Sequence, residues 1–112
     1  MSFADTPSPP YYAVIFTSRS SEEAGDDYAK TAARMAELAG GQPGFLGIES
    51  TRGEDGVGIT VSYWESLEAI SAWKRNEEHQ AAQKTGRETW YDRYELRIAK
   101  VERAYGFNRD AE

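Results

Sequence analysis

His79 is the single histidine of the chain and the side chain best suited to proton transfer near neutral pH. An imidazole with an ordinary pKa of about 6.5 can act as base or acid at pH 7. Its neighbours Glu77, Glu78 and Gln80 are also typical of a solvent-exposed helix surface. We name His79 as the candidate catalytic residue and keep a surface role as the alternative.

A second group of side chains is suited to binding a flat molecule. Trp64 and Trp73 can stack on an aromatic ligand, or can simply fill the space between a sheet and a helix. Tyr63 and Tyr91 can donate a hydrogen bond to a carbonyl or phenolate, or can pack across strands. Asn76 can orient a ligand or cap a helix. These five residues form the expected substrate-binding set.

Composition excludes several other chemistries. The chain has no cysteine, so disulfides, thiolate metal sites and cysteine nucleophiles are ruled out. One histidine and unpatterned carboxylates predict no metal, and we expect no cofactor. The turn Gly53–Gly56 does not open a helix, so it is not a phosphate loop.

Charge and hydropathy bear on partners and location. A net charge of −6 argues against nucleic acid and against an anionic membrane surface. No apolar run approaches the roughly 20 residues of a membrane span. The first ten residues lack a basic region followed by an apolar stretch, as a secretory signal requires. We therefore expect a cytoplasmic protein that binds a small hydrophobic or aromatic molecule.

The elements that must position these side chains follow from periodicity. Alternating or β-branched runs predict strands, and apolar stripes at helical spacing predict helices. Strands are expected at Tyr11–Ser18, Phe45–Thr51, Val57–Trp64 and Tyr91–Arg103, and helices at Asp26–Ala39, Leu67–Arg75 and Asn76–Thr85. In the third strand Gly58, Thr60, Ser62 and Trp64 share one face. That polar strip can form the floor of a cavity, or it can allow a helix to pack closely against the sheet.

The order β–α–β–β–α–β predicts a ferredoxin-like α+β fold, with a four-stranded antiparallel sheet and both helices on one face. The opposite face carries apolar side chains and needs a partner, and the long last strand offers an edge for pairing. We expect a homodimer. The expected division is a flexible N-terminal arm at 1–10, the domain at 11–105 and a C-terminal tail at 106–112.

The segment from Ser62 to His79 carries a resemblance, together with the upstream residues Gln42–Gly47. The residues that match are Trp64-Glu65-Ser66, Glu68-Ala69, Trp73 and His79. Over roughly residues 11–103 the pattern resembles the antibiotic biosynthesis monooxygenase family of the dimeric α+β barrel superfamily. The resemblance implies a barrel made from two sheets and a pocket between sheet and helices. Some members of that family oxidise aromatic polyketides with dioxygen and without metal or flavin, and others degrade haem.

The haem-degrading branch uses an asparagine on the first strand, a tryptophan and a haem-ligating histidine. Trp73 matches the tryptophan, but Tyr11–Ser18 contains no asparagine, and Gln83 stands where the ligand histidine is expected. Haem degradation is therefore disfavoured. The resemblance favours a cofactor-independent monooxygenase acting on a small aromatic compound. The alternative is a non-catalytic dimeric binding or stress-related protein with a hydrophobic pocket.

Overall fold

The computed structural model describes residues 3–22 and 25–110, and its elements follow the expected order. The strands are β1 (Tyr11–Ser20), β2 (Phe45–Arg52), β3 (Val57–Trp64) and β4 (Tyr91–Val101). The helices are α1 (Asp26–Gly40), α2 (Leu67–Lys74) and α3 (Glu77–Thr85). A single π-helical turn, Gly86–Trp90, joins α3 to β4. This turn has no counterpart among the elements that the sequence predicts.

The four strands form one antiparallel sheet in the order β2-β3-β1-β4. This is the ferredoxin-like arrangement, so the predicted fold class is confirmed. Trp64 lies on the face that the helices cover, where it is fully buried beside Ala39 of α1 and Ile70 of α2. By strand alternation Gly58, Thr60 and Ser62 share that face.

Two side chains fix where the second helical region begins and bends. The Ser66 hydroxyl accepts a hydrogen bond from the backbone N–H of Ala69 at 3.1 Å and caps α2. The Asn76 side chain accepts from the N–H of His79 at 3.1 Å and caps α3. Each cap satisfies a helix N–H that has no intrahelical partner. The Asn76 cap sets the first turn of the helix that carries His79.

Gly44 allows the start of β2 to pack closely against the start of α2. Its φ of +85° lies in the left-handed region, which only glycine adopts without penalty. Its carbonyl accepts from the N–H of Glu65 at 2.8 Å. A Cβ at this position would lie 2.6 Å from the Cβ of Ala69. The glycine therefore allows β2 to approach the β3–α2 junction next to Trp64.

The sheet face without helices presents apolar side chains, as expected. Val57 is 40% exposed and Ile59 43% exposed on this face. Part of the N-terminal segment lies against β2, where the N–H of Ala4 donates to the carboxylate of Glu49 at 3.1 Å. At the other end of the chain Tyr105 is fully exposed. The flexibility of the arm and the limits of the domain stay predictions.

In the described part of the chain, no helix has the length and apolar composition needed to cross a bilayer. Within those same residues, no three His, Asp or Glu side chains come together in an arrangement that would hold a metal ion.

Candidate functional site

Three of the predicted site residues form one continuous stack of rings. The rings of Trp64 and Trp73 are stacked with centroids 6.2 Å apart and planes 27° apart. His79 stacks on the other side of Trp73 at 4.2 Å and 14°. Phe45 meets Trp64 edge-on at 5.4 Å. The stack runs from the buried face of β3, through α2, to the half-buried imidazole on α3.

The contacts of His79 determine which ring nitrogen carries the proton and whether the ring is charged. Its Nδ1 lies 3.0 Å from the carbonyl oxygen of Trp73. Because a carbonyl cannot donate, Nδ1 carries the proton and Nε2 carries the lone pair of the neutral ring. Burial lowers the pKa of His79 below its ordinary value, and the hydrogen bond to the Trp73 carbonyl opposes this only in part. At pH 7 the ring is a neutral base.

A groove of about 440 Å³ lies between α1 and α3, and we call it the α1–α3 groove. Its wall includes the ion pair of Arg34 and Glu78, whose two hydrogen bonds of 3.2 and 3.3 Å join the two helices. It is lined by Lys30, Thr31, Arg34, Met35, Glu78, Ala81, Ala82, Thr85 and Trp90. His79 is on the same helix, α3, but is not among the residues that line the groove.

The 4.2 Å contact between Trp73 and His79 leaves no space for a ligand between those rings. The two tryptophans therefore pack against the histidine and hold it in place. Of the two roles expected for them, filling the space between sheet and helix fits this packing better than stacking on a ligand.

The polar strip of β3 is on the side of the sheet that carries the helices. The Trp64 indole N–H donates to the Ser62 hydroxyl at 2.9 Å. The hydroxyls of Thr60 and Ser50 are 2.7 Å apart. These contacts show hydroxyl groups on the helix-covered face of the sheet, where the sequence places the possible floor of a cavity.

Tyr91 belongs to a different aromatic cluster. Its ring meets Tyr28 of α1 at 5.6 Å and Phe16 of β1 at 5.4 Å, both edge-on. Its hydroxyl donates to that of Tyr28 at 3.4 Å. Burial, then the hydrogen bond to Tyr28, raises the pKa of Tyr91 above its ordinary value. Tyr91 therefore stays protonated at neutral pH, and the structure does not bring it into the His79 stack.

Tyr63 lies on the face of the sheet that the helices do not cover, because it precedes Trp64 in the same strand. Its hydroxyl donates to Glu49 at 2.6 Å, and its ring meets Tyr11 edge-on at 5.7 Å. Burial first, and then this bond to the Glu49 carboxylate, raises the pKa of Tyr63 to about 12. The structure therefore places Tyr63 away from Trp64, Trp73 and His79.

Sequence reasoning missed the residues that shape the α1–α3 groove. Arg34 and Glu78 look like ordinary exposed charges, and nothing local shows that they meet across two helices. Tyr28 is on the apolar stripe of α1, so the sequence pattern predicts a core residue at this position. Its contact with Tyr91 joins residues far apart in the chain, and only the finished topology shows it.

Comparisons with known proteins agree with this architecture. The fold and the ring stack define a small ferredoxin-like α+β domain with a groove between two of its helices. The family model described as antibiotic biosynthesis monooxygenase matches residues 11–85, and the chain belongs to that family. An uncharacterised Bacillus subtilis protein, YqjZ, is 58% identical over 98 residues, covering 88% of this chain and 85% of that protein.

Two solved structures illustrate the shared fold. SnoaB from Streptomyces nogalater, described as a cofactor-independent oxygenase, aligns with a TM-score of 0.72 at 14% identity. The alignment covers 86% of this chain and 97% of SnoaB. A protein from Shewanella oneidensis aligns with a TM-score of 0.75 at 9% identity, over 85% of this chain and 94% of its own. At such identities the likeness concerns the fold alone.

Proposed function

We propose that this protein is a cofactor-independent monooxygenase that oxidises a small, electron-rich aromatic compound and works as a cytoplasmic homodimer. Family membership supports the reaction class, and SnoaB offers a precedent for an oxygenase of this fold that needs no cofactor. The observation that carries the proposal is His79. It is a neutral, half-buried base with a fixed tautomer, on the helix that forms one wall of a groove large enough for a ring compound.

In the proposed reaction the aromatic substrate lies in the α1–α3 groove. The Nε2 atom of His79 accepts a proton from a phenolic hydroxyl of the substrate. The resulting anion is electron-rich enough to reduce dioxygen, so the substrate supplies all the electrons. One oxygen atom becomes a ring carbonyl, and the other leaves as water with the ring hydrogen that it replaces and the proton of the phenolic hydroxyl, so the phenol is oxidised to a quinone. The Trp73 ring covers one face of the imidazole and shields that face from water.

The test is oxygen uptake with a panel of dihydroxyaromatic compounds. We expect turnover by the wild type and a loss of 10²- to 10⁴-fold, on the order expected for a general base, in His79→Ala. The matched control is Gln80→Ala, an exposed neighbour on the same helix, which should keep wild-type turnover. Turnover that survives in His79→Ala would remove this histidine from the mechanism.

One observation favours a second candidate, a non-catalytic binding protein. None of the six sequence-predicted site residues lines the α1–α3 groove itself. A protein that only binds should gain thermal stability from an aromatic ligand without consuming oxygen. Ligand-dependent stabilisation with no uptake across the whole panel would favour this candidate over the monooxygenase.

The proposed homodimer rests on the exposed apolar residues Val57 and Ile59 of the face without helices. Sedimentation at micromolar concentration should give twice the monomer mass, and Ile59→Lys should return the protein to the monomer. A wild-type protein that sediments as a monomer would contradict this part of the proposal. Haem degradation stays disfavoured, and a haem titration should leave the Soret band unshifted.

A further inference from the structure

A second cavity lies on the sheet face that the helices do not cover, and we call it the β1–β4 cavity. In the strand pairing Arg19 of β1 lies between Val57 of β3 and Arg93 of β4, so these three side chains point to the same face. The described residues that line the cavity are Thr17, Ser18, Arg19, Val57, Arg93, Glu95 and Arg97. Its volume of about 260 Å³ is below the roughly 300–1,000 Å³ of small-molecule pockets, so it suits an inserted side chain better than a free ligand.

The chain itself covers the other end of this face. There the N-terminal segment lies on β2, where the Cβ of Ala4 is 2.8 Å from the position of a Cβ on Gly47. Tyr11, at the same end, is only 4% exposed. At the cavity end the side chains of Val57 and Ile59 stay about two-fifths exposed. The cavity end is therefore the part of this face where a second copy can still bury apolar surface.

The C-terminal segment carries two aromatic side chains that project into solvent. Residues 102–110 follow β4 and are all exposed. Tyr105 is fully exposed and Phe107 is 80% exposed. In an extended chain, side chains two residues apart point the same way, so the two rings can enter one cavity together. Large aromatic rings gain more than most side chains from burial at an interface.

The walls of the β1–β4 cavity suit these rings. A guanidinium group favours the face of an aromatic ring, and the cavity presents those of Arg93 and Arg97. The tail already contains one contact of this kind, because the guanidinium carbon of Arg109 lies 5.4 Å from the centroid of the Phe107 ring. Val57 adds apolar surface to the same wall.

The tail of the same chain is too short to place both rings in its own cavity. A reversal directly after β4 uses at least two residues, which would set Tyr105 beside Lys100. Phe107 would then lie beside Ile98, about 10 Å short of Glu95. A second copy has no such limit. Strand β4 is at the edge of the sheet, so the tail of a neighbouring chain can run along it.

We propose that Tyr105 and Phe107 of a second copy fill the β1–β4 cavity, so that each C-terminal segment is part of the homodimer interface. Two-fold symmetry then fills both cavities of the dimer in the same way. This inference rests on the proposed homodimer and does not depend on the oxygenase reaction.

The first test measures the dimer dissociation constant of the full-length protein by analytical ultracentrifugation. The combined change Tyr105→Ser and Phe107→Ser should raise this constant at least about 100-fold, because each substitution removes an aromatic anchor at two equivalent sites. Both side chains are exposed in the single chain, so the fold should survive, as circular dichroism will show. The matched control Asn108→Ser changes the same segment and should leave the constant unchanged.

The outcomes separate this inference from the proposed homodimer. A dimeric wild type whose dissociation constant is the same in the double variant would overturn the role of the tail and leave the homodimer standing. A monomeric wild type would contradict both.

The second test locates the contact. Because the chain has no cysteine, a disulfide between two introduced cysteines reports one chosen pair of positions. Phe107→Cys combined with Val57→Cys, or with Glu95→Cys, should form a covalent dimer on oxidation, and each single variant should form much less. The control pair, Phe107→Cys with Gln80→Cys on an exposed position of α3, should form no more than the single variants. A disulfide within one chain, or no cross-linked dimer with either cavity position, would overturn the proposal.

Discussion

Replacing Gly44 by alanine should be among the most destabilising small changes in this protein. Two separate costs act at this position. An alanine must adopt a φ of +85°, which costs about 1–2 kcal/mol. Its Cβ would also lie 2.6 Å from that of Ala69, far inside the normal contact distance, and such overpacking costs about 1–3 kcal/mol. The hydrogen bond from Glu65 to the Gly44 carbonyl limits relaxation. We expect a total loss of about 2–5 kcal/mol.

Two other glycines of the chain separate these costs. Gly56 has nearly the same φ, +84°, but the one close contact of its Cβ would be the rotatable Ser20 hydroxyl at 3.0 Å, since the Ser20 backbone atoms lie at 3.7 and 3.9 Å. Gly56→Ala should therefore cost the backbone strain alone, about 1–2 kcal/mol. Gly106 has nothing within 4 Å of a Cβ, so Gly106→Ala should be nearly neutral. The gain from a stiffer unfolded chain applies to all three variants and cancels from their differences.

The assay is equilibrium urea unfolding followed by tryptophan fluorescence, with unchanged m-values as the condition for comparison. The double variant Gly44→Ala with Ala69→Gly removes the clashing methyl group. It should show a favourable coupling of about 1–3 kcal/mol between the two sites. Equal losses in Gly44→Ala and Gly56→Ala, or a coupling near zero, would show that the contact with Ala69 does not limit this position.

Three further outcomes follow from the site. In an ultraviolet titration Tyr63, with a pKa raised to about 12, and Tyr91, whose pKa is also raised, should ionise well above the ordinary pKa of tyrosine, and Tyr63→Phe should remove one late step. Asn76→Ala should cost about 1 kcal/mol in urea unfolding through the lost cap, and a change of a few tenths would contradict that role. Because the pKa of His79 is lowered in the folded protein, its contribution to stability is complete above pH 6.5 and is lost as the pH falls towards that lowered pKa. The stability difference between the wild type and His79→Gln should change over this window, and a constant difference would refute the pKa shift.

Most of the fold could be predicted because each element has a local signal. The apolar stripe of α1 and the alternation in β3 require only the immediate sequence. The bend between α2 and α3 also has a local signal, because Asn76 caps α3 and asparagine is common at such positions. The π-helical turn Gly86–Trp90 was missed, because a single wide turn has no hydrophobic period of its own.

The geometry of the candidate site was predictable in part, and the separation of Tyr63 from Trp64 could have been foreseen. Trp64, Trp73 and His79 do come together, since the strand–helix step that joins them is short. Tyr63 was grouped with Trp64 although adjacent strand residues point to opposite faces. Tyr91 was a different case. Its partner Tyr28 comes from a distant helix, and no local pattern indicates that contact.

The close stacking of His79 on Trp73 gives the protein a built-in optical reporter. An excited indole loses its emission when a protonated imidazole lies against it, because the cation accepts an electron from the ring. With ring centroids 4.2 Å apart, His79 and Trp73 are close enough for this quenching to dominate the fluorescence of Trp73. Acidification should therefore dim that tryptophan before the chain unfolds, so its brightness follows the charge state of the candidate base without any added dye.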